Sequence, residues 1–183
     1  VTDKISGEIY KNYKVEKLIR SDDNVRVIIG NEYVDYDQVV LASHADQSLR
    51  MIEKPTEQEK NILEKFNYVK NEAYLHTDKR LMPYKKRAWS SWNSVSDGEK
   101  TCITYWLNKL QNLDTSKDYF LTLNPICKIN ENSVIKKVNF THPYLNSMNT
   151  ALQKDLRLIQ GKKRTWFCGS YFGYGFHEDG LKS

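Results

Sequence analysis

Along residues 14–20 and 24–30 apolar and polar side chains alternate with a period near two, and Ser21, Asp22 and Asp23 stand between the runs as a turn cluster. A second turn at Gly30, Asn31 and Glu32 leads to Tyr33, Val34, Asp35 and Tyr36. Asp37 and Gln38 then open into Val39, Val40, Leu41 and Ala42, a run without polar interruption. Such a run suits a strand covered on both faces. The pattern predicts a small antiparallel meander that feeds back into a central parallel sheet.

The period then lengthens. Residues 44–52 carry helical spacing, with Leu49 and Ile52 three apart. Pro55 and Thr56 announce a second helix, because Thr56 and Glu59 form a capping box, and Ile62, Leu63 and Phe66 supply its apolar face. From Asn67 alternation returns, with Tyr68, Lys70, Glu72, Tyr74 and His76 on one side and Val69, Asn71, Ala73 and Leu75 on the other. Further strand-like pieces lie at 88–92, 100–106, 118–123 and 134–140. Residues 147–159 read as an amphipathic helix with Met148, Leu152, Leu156 and Ile159 on one stripe, closed by Gly161.

The last stretch changes character again. Trp166, Phe167 and Cys168 are short enough for a buried strand, and Gly169, Gly173, Gly175 and Gly180 follow, half of the eight glycines in the chain. Glycine serves where backbone takes positive φ or approaches another group closely. Glu178 and Asp179 then read as an acidic helix start. Both ends therefore look like one kind of domain and the middle like another. The fold class expected is α/β with an α+β insertion: residues 1–52 and 160–183 in the first part, 53–159 as an antiparallel-sheet domain between them.

Composition narrows the class without naming a chemistry. Of 183 residues, 28% are charged and 39% hydrophobic, which places the chain among soluble globular proteins rather than disordered ones. No apolar run approaches the roughly twenty residues of a membrane span. The three cysteines are far apart and odd in number, the usage of reduced thiols in a cytoplasmic protein. A net charge of +5 is mildly basic and spread along the chain, which falls short of a nucleic-acid footprint. The chain begins at Val1 and stops where a helix is starting, so it is expected to be a fragment of a longer protein.

Several familiar chemistries find no support. His44, His76, His142 and His177 stand in no metal-ligand spacing. Ser170 lacks the G-x-S-x-G context of a hydrolase nucleophile, and Cys168 lies in an apolar strand where thiols are inert. Two basic-aromatic clusters, Lys85-Lys86-Arg87-Ala88-Trp89 and Lys162-Lys163-Arg164-Thr165-Trp166, admit an alternative. Such residues bind single-stranded nucleic acid or another anion in non-catalytic modules. They equally fit a solvated turn followed by a core tryptophan. The aromatic crowd at Trp89, Trp92, Tyr105, Trp106 and Tyr119 reads either as core or as the wall of a pocket, and periodicity does not separate the two.

The pieces together resemble a family. They are Tyr36-Asp-Gln-Val-Val-Leu-Ala-Ser-His-Ala-Asp-Gln-Ser-Leu49, Asn71-Glu-Ala-Tyr-Leu-His-Thr-Asp78 with Met82-Pro83, and Ala88-Trp-Ser-Ser-Trp-Asn93. Thr104-Tyr-Trp-Leu-Asn-Lys-Leu-Gln111, Leu121-Thr-Leu-Asn-Pro125 and the block from Trp166 to Ser183 complete the set. The chain is similar to the C-terminal half of the flavin amine oxidase-like oxidoreductases, in particular their bacterial NAD/FAD-binding branch. The superfamily also includes phytoene-type desaturases.

The resemblance implies a partial, Rossmann-like FAD-binding domain formed by the two ends, with the middle as substrate domain. It implies FAD as cofactor, held in part by Val15, Gly169, Ser170, His177, Glu178 and Gly180. The reaction implied is dehydrogenation of an amine or an unsaturated lipid-like small molecule by hydride transfer to the flavin. Nucleic acid is not an expected partner, and association with a membrane surface follows if the substrate is a lipid. The family's N-terminal β-α-β unit, with its G-x-G-x-x-G turn, has no counterpart in these residues. The parent is therefore expected to be the flavoenzyme, and this piece an inactive part of it. For the substrate pocket, the residues themselves single out His76, Trp89, Trp92 and Asn93, which combine aromatic walls with two hydrogen-bonding side chains, His76 also able to take a proton near neutral pH; the alternative is that the tryptophans are core and His76 ties down the turn at Asp78.

Overall fold

The alternation at the start of the chain closes into a meander because its apolar positions have one face to share. A computed structural model describes residues 5–144 and 151–183. Strands β1 (Lys17–Arg20), β2 (Val25–Ile29) and β3 (Glu32–Tyr36) pair antiparallel in that order. Leu18, Val25 and Val27 are buried. Gly30 turns the chain between β2 and β3 at φ 60°, a conformation open to glycine.

Strand β4 (Val39–Leu41) then pairs parallel with the last strand, β10 (Thr165–Phe167), in the register Val39 to Thr165, Val40 to Trp166 and Leu41 to Phe167. The parallel pairing expected from the two apolar runs is thus present. The other side of β10 is closed by a side chain. Gln160 accepts the Phe167 N–H at 2.9 Å and donates its amide to the Phe167 carbonyl at 2.9 Å, while the Gly161 N–H bonds the Thr165 carbonyl.

Helices α1 (Ala45–Met51) and α2 (Glu57–Leu63) follow the meander. The capping box of α2 forms as its sequence requires: Thr56 Oγ1 accepts the Glu59 N–H at 3.2 Å, and Glu59 accepts the Thr56 N–H at 2.7 Å. Ile62, Leu63 and Phe66 are all buried. Of the helix expected over 147–159, residues 147–150 lie outside the described residues. Beyond them the chain forms a 3₁₀ turn, Asp155–Leu158, in which Leu156 is buried. Gly161 takes φ 69°, the left-handed geometry of a helix-ending glycine.

The chain divides into two compact units, one of Val1–Asn67 and Pro143–Ser183, the other of Tyr68–His142. The second is built on a five-stranded sheet in the order β6-β7-β8-β5-β9: β5 (Tyr68–His76), β6 (Trp92–Ser96), β7 (Thr101–Trp106), β8 (Phe120–Leu123) and β9 (Val134–Pro143). Pairs β6–β7, β7–β8 and β8–β5 are antiparallel. The strand expected at 88–92 is corrected here: residues Lys86–Ala88 form a 3₁₀ turn and the strand begins at Trp92. The reason is local. The Trp89 indole N–H donates to the Pro83 carbonyl at 2.7 Å, which folds the preceding turn back on itself.

Within the first unit one ion pair is buried. Arg20 and Glu59 side chains are 5% and 0% exposed, and the guanidinium meets the carboxylate twice, at 2.6 and 2.8 Å. Burial pushes the Glu59 carboxyl up, but the Arg20 guanidinium and the Thr56 N–H outweigh it and hold the group below its ordinary value of 4.5. Removing Arg20 alone leaves a buried carboxylate, so Arg20→Met is expected to cost about 3–5 kcal/mol in urea unfolding, with Arg20→Met/Glu59→Met recovering at least half. Because the folded value is depressed, the pair's contribution is complete above about pH 4.5 and falls away as pH drops through the folded value. The wild type should therefore lose stability more steeply below that pH than the double variant.

Candidate functional site

In the first unit, β4 and the meander enclose a cavity of about 790 Å³. Its lining includes Val15, Leu18, Val27, Val40, Leu41 and Ser43 and is mainly apolar. Val15, the first of the expected FAD contacts, lies on this wall. The glycine turn after β10 comes near Ser43, one of the lining residues: a Cβ at Gly169 would stand 3.6 Å from the Ser43 carbonyl. Gly169 takes φ 147°, and a Cβ there would stand 2.8 Å from the Tyr171 ring, so this position has room for glycine alone.

A short helix, α3 (His177–Lys182), follows the turn. Gly180 brings its backbone against the turn: a Cβ at this position would lie 3.5 Å from the Ser170 nitrogen. Ser170 is half-buried, and His177 and Glu178 are exposed. Asp179 accepts the N–H groups of Tyr174 and Phe176 at 3.0 and 2.9 Å, so the turn is partly capped by its own carboxylate. The arrangement thus offers an apolar cavity bearing Val15 and, near it, a close-packed glycine turn.

The second unit sorts its predicted residues onto two faces of the sheet. Register places Tyr74, Thr122, Thr104 and Asn93 in one cross-strand row and His76, Phe120 and Trp106 in the next. Leu81, Met82, Trp89 and Ile129 cover this face, so His76, Trp89 and Asn93 are all buried. His76 Nδ1 accepts the Asp78 N–H at 3.1 Å, which leaves the proton on Nε2, 2.7 Å from Thr122 Oγ1. Thr122 Oγ1 lies 2.8 Å from Thr104 Oγ1. Burial pushes the His76 pKa down against the pull of the Asp78 charge. Asn93 is equally engaged, accepting the Ser90 N–H and donating to the Ser90 and Thr104 carbonyls.

Trp92 is on the opposite face and 52% exposed. Its row runs Trp92, Tyr105, Leu121, Leu75, and the adjacent row runs Ser94, Ile103, Leu123, Ala73. Tyr105, Leu121, Leu75, Ile103 and Leu123 are half-buried. The structure thus joins His76, Trp89 and Asn93 in one interior and sets Trp92 apart with aliphatic neighbours that sequence reasoning did not select. The available signal was the two-residue spacing of Ile103 with Tyr105 and of Leu121 with Leu123.

The basic-aromatic clusters are held by local bonds. Lys86 reaches Asp118 at 3.4 Å and lies over the rings of Trp89 and Trp106. Lys162 bonds Gln58, Lys163 bonds Asp22, Arg164 bonds the Asp22 and Asp37 carbonyls, and the Trp166 indole donates to Gln38. Among the described residues no helix is long and apolar enough to cross a membrane.

No protein-family model and no curated protein matches the chain. Solved structures do. A CLA-producing fatty acid isomerase from P. acnes aligns with 98% of this chain and 47% of its own, at a TM-score of 0.69 and 12% identity. Cyclohexylamine oxidase from Brevibacterium oxydans aligns with 92% of this chain and 45% of its own, at 0.56 and 10%. A redesigned putrescine oxidase aligns over the same shares at 0.54 and 8%. At these identities the likeness is one of fold, and the chain spans a little under half the length of each.

The buried histidine generates a direct test. Its depressed pKa means that the unfolded chain binds the proton first, so His76 contributes to stability above its ordinary 6.5 and that contribution declines as pH falls below it. Nitrogen NMR of the ring should show the Nε2–H neutral tautomer at pH 6.5. Thr122→Val, which strands the Nε2 donor, is expected to cost about 1–3 kcal/mol. A ring half-protonated at pH 6.5 would contradict the arrangement.

Proposed function

We propose that the chain is part of an FAD-dependent oxidoreductase that dehydrogenates an amine or an unsaturated lipid-like substrate. The observation that carries this reading is the parallel β4–β10 pair ending in the Gly169 turn near the cavity that bears Val15. The fold likeness supports it: similar structures include two proteins named as amine oxidases and one named as a fatty acid isomerase. In this reading the first unit is the remainder of a Rossmann-like cofactor domain, and the second is the substrate domain. The division into Val1–Asn67 with Pro143–Ser183 and Tyr68–His142 supports a substrate domain somewhat shorter than 53–159.

Val15 and its apolar neighbours would hold the adenine end of the cofactor, while Gly169, Ser170 and Gly180 would let backbone approach the pyrophosphate and ribityl chain. The exposed His177 and Glu178 flank that path. When bound, the flavin supplies the hydride acceptor, and protein groups orient it. The substrate domain has to supply a dry, shaped surface rather than a catalytic triad. His76 in this domain holds its proton on Nε2 against Thr122, and so positions the sheet before it could serve any proton transfer. The binding-module alternative finds no support, since the second cluster's three cations and the first cluster's Lys86 are already engaged.

The test is carried out on the protein expressed with the reading frame upstream of Val1. It is expected to purify with the visible absorption of an oxidised flavin, and the colour should bleach on anaerobic addition of substrate. Gly169→Val should lose the flavin while retaining the far-ultraviolet circular dichroism of the parent. A colourless parent that retards labelled oligonucleotides would instead favour the binding module.

A further inference from the structure

We infer that one end of the second unit's sheet docks on a bilayer surface carrying anionic phospholipid. Two connections leave the sheet at that end, because His76 at the close of β5 and Trp106 at the close of β7 both pair with Phe120, where β8 begins. The first connection, residues 77–91, carries Lys79, Arg80, Lys85, Lys86 and Arg87, with Asp78 as its one acid. The second, residues 107–119, adds Lys109 and Lys117 with Asp114 and Asp118. Seven cations against three carboxylates leave +4, most of the chain's +5, at this one end. All seven cations are exposed, whereas Asp78 and Asp118 are buried.

The same connections expose apolar groups. Tyr84 is fully exposed, Leu110 is 51% exposed and Leu113 37%. These tips are held in place from below. Leu81, Met82 and Trp89 are buried, and the Trp89 indole holds the Pro83 carbonyl beside Tyr84. Asn108 donates to the Lys117 carbonyl and accepts the Tyr119 N–H, each at 2.7 Å. Asp118 joins the two connections, meeting Lys79 at 2.9 Å, Lys86 at 3.4 Å and the Trp106 indole at 3.1 Å. A surface already built loses little freedom on docking.

Tyrosine and leucine tips among lysines and arginines suit the headgroup boundary of a bilayer: the cations meet lipid phosphates, the leucines enter the acyl layer and the phenol ring sits between. Single-stranded nucleic acid would use the same cations, but it asks for successive open rings on which bases stack. Trp89 is buried and Tyr119 half-buried, which leaves Tyr84 as the one open ring on the two connections. Nucleic acid would also give the exposed leucines no partner. The inference stands on the second unit alone and does not depend on the flavin reading.

The experiment sediments the 183-residue chain with sucrose-loaded vesicles of phosphatidylcholine, alone or mixed with phosphatidylglycerol. Binding is expected on the anionic vesicles, little on the neutral ones, and less as salt shortens the reach of the charges. Lys85 and Arg87 stand outside the ion pairs of Asp78 and Asp118. A cation near such a surface contributes about fivefold, so Lys85→Gln/Arg87→Gln should weaken binding about 25-fold and flatten its salt dependence. Leu110→Gln, which removes about half of a leucine's burial, should weaken it about fivefold and leave the salt dependence as it was. Lys11→Gln/Lys14→Gln takes the same charge from exposed sites in the first unit and should leave binding unchanged. All five substituted residues are exposed, and circular dichroism will report that each variant folds.

Absence of binding to anionic vesicles, or equal binding to neutral ones, would overturn the inference. So would a loss from the Lys11 and Lys14 pair as large as that from Lys85 and Arg87, which would reduce the effect to net charge. A single-stranded oligonucleotide that strips the chain from vesicles at equal phosphate concentration would assign this end to nucleic acid instead.

Discussion

The first unit depends on a pair of charges taken out of water. Arg20 sits at the end of β1, Glu59 in the first turn of α2, and Thr165 at the start of β10 with its hydroxyl 3.4 Å from the guanidinium. Lys54 adds its carbonyl to the same guanidinium. Each ion alone would be costly to bury, and the cost is met only when the fork and the carboxylate face each other squarely. Three segments distant in sequence therefore share one geometric requirement. A cluster of leucines could hold β1 and α2 as firmly but would fix their meeting less narrowly than a bidentate pair does, while Thr165 ties β10 to it by one bond and the register of β10 is set by its pairing with β4. That register decides where the glycine turn after Phe167 stands relative to Ser43, one of the residues lining the cavity.

The second unit solves a different problem. Its interior contains a polar chain from the Asp78 amide through His76 and Thr122 to Thr104, with Asn93 tied into the neighbouring carbonyls. Such a network is tolerable only if every member is satisfied. Each is, and the aromatic edges of Trp89, Phe120 and Trp106 seal one end, with ring centres 5.3–5.6 Å apart. The hydrogen-bonding groups share this interior with Phe120, Trp89, Leu81 and Met82, while Trp92 stands on the other face.

How much of this was legible depended on whether the signal was local. The meander, the Thr56–Glu59 capping box, the left-handed Gly161 and the two apolar runs that pair in parallel are all written in short windows. The sidedness of the large sheet was not. Alternation separates His76 from Leu75 and Trp92 from Asn93, yet it does not say which side the connecting segments will cover. That choice is made by Leu81, Met82, Trp89 and Ile129, whose positions in turns carry no period. The expected strand at 88–92 failed for a related reason: tryptophan favours strands, but the indole of Trp89 finds its partner in the backbone of Pro83. Pro83 and Trp89 are close in sequence, although no period links them.

One small feature has a broader implication for the protein in solution. A parallel sheet of two strands is an incomplete object, and an incomplete sheet invites another chain to continue it. At β10 the invitation is withdrawn by Gln160, whose amide reproduces on Phe167 the donor and acceptor of a neighbouring strand, with Gly161 completing the mimicry at Thr165. A fibril built by stacking strands needs two open edges on every copy, because each must both receive and offer. This sheet has one edge closed by its own side chain, so copies that meet through it can cap one another and cannot propagate.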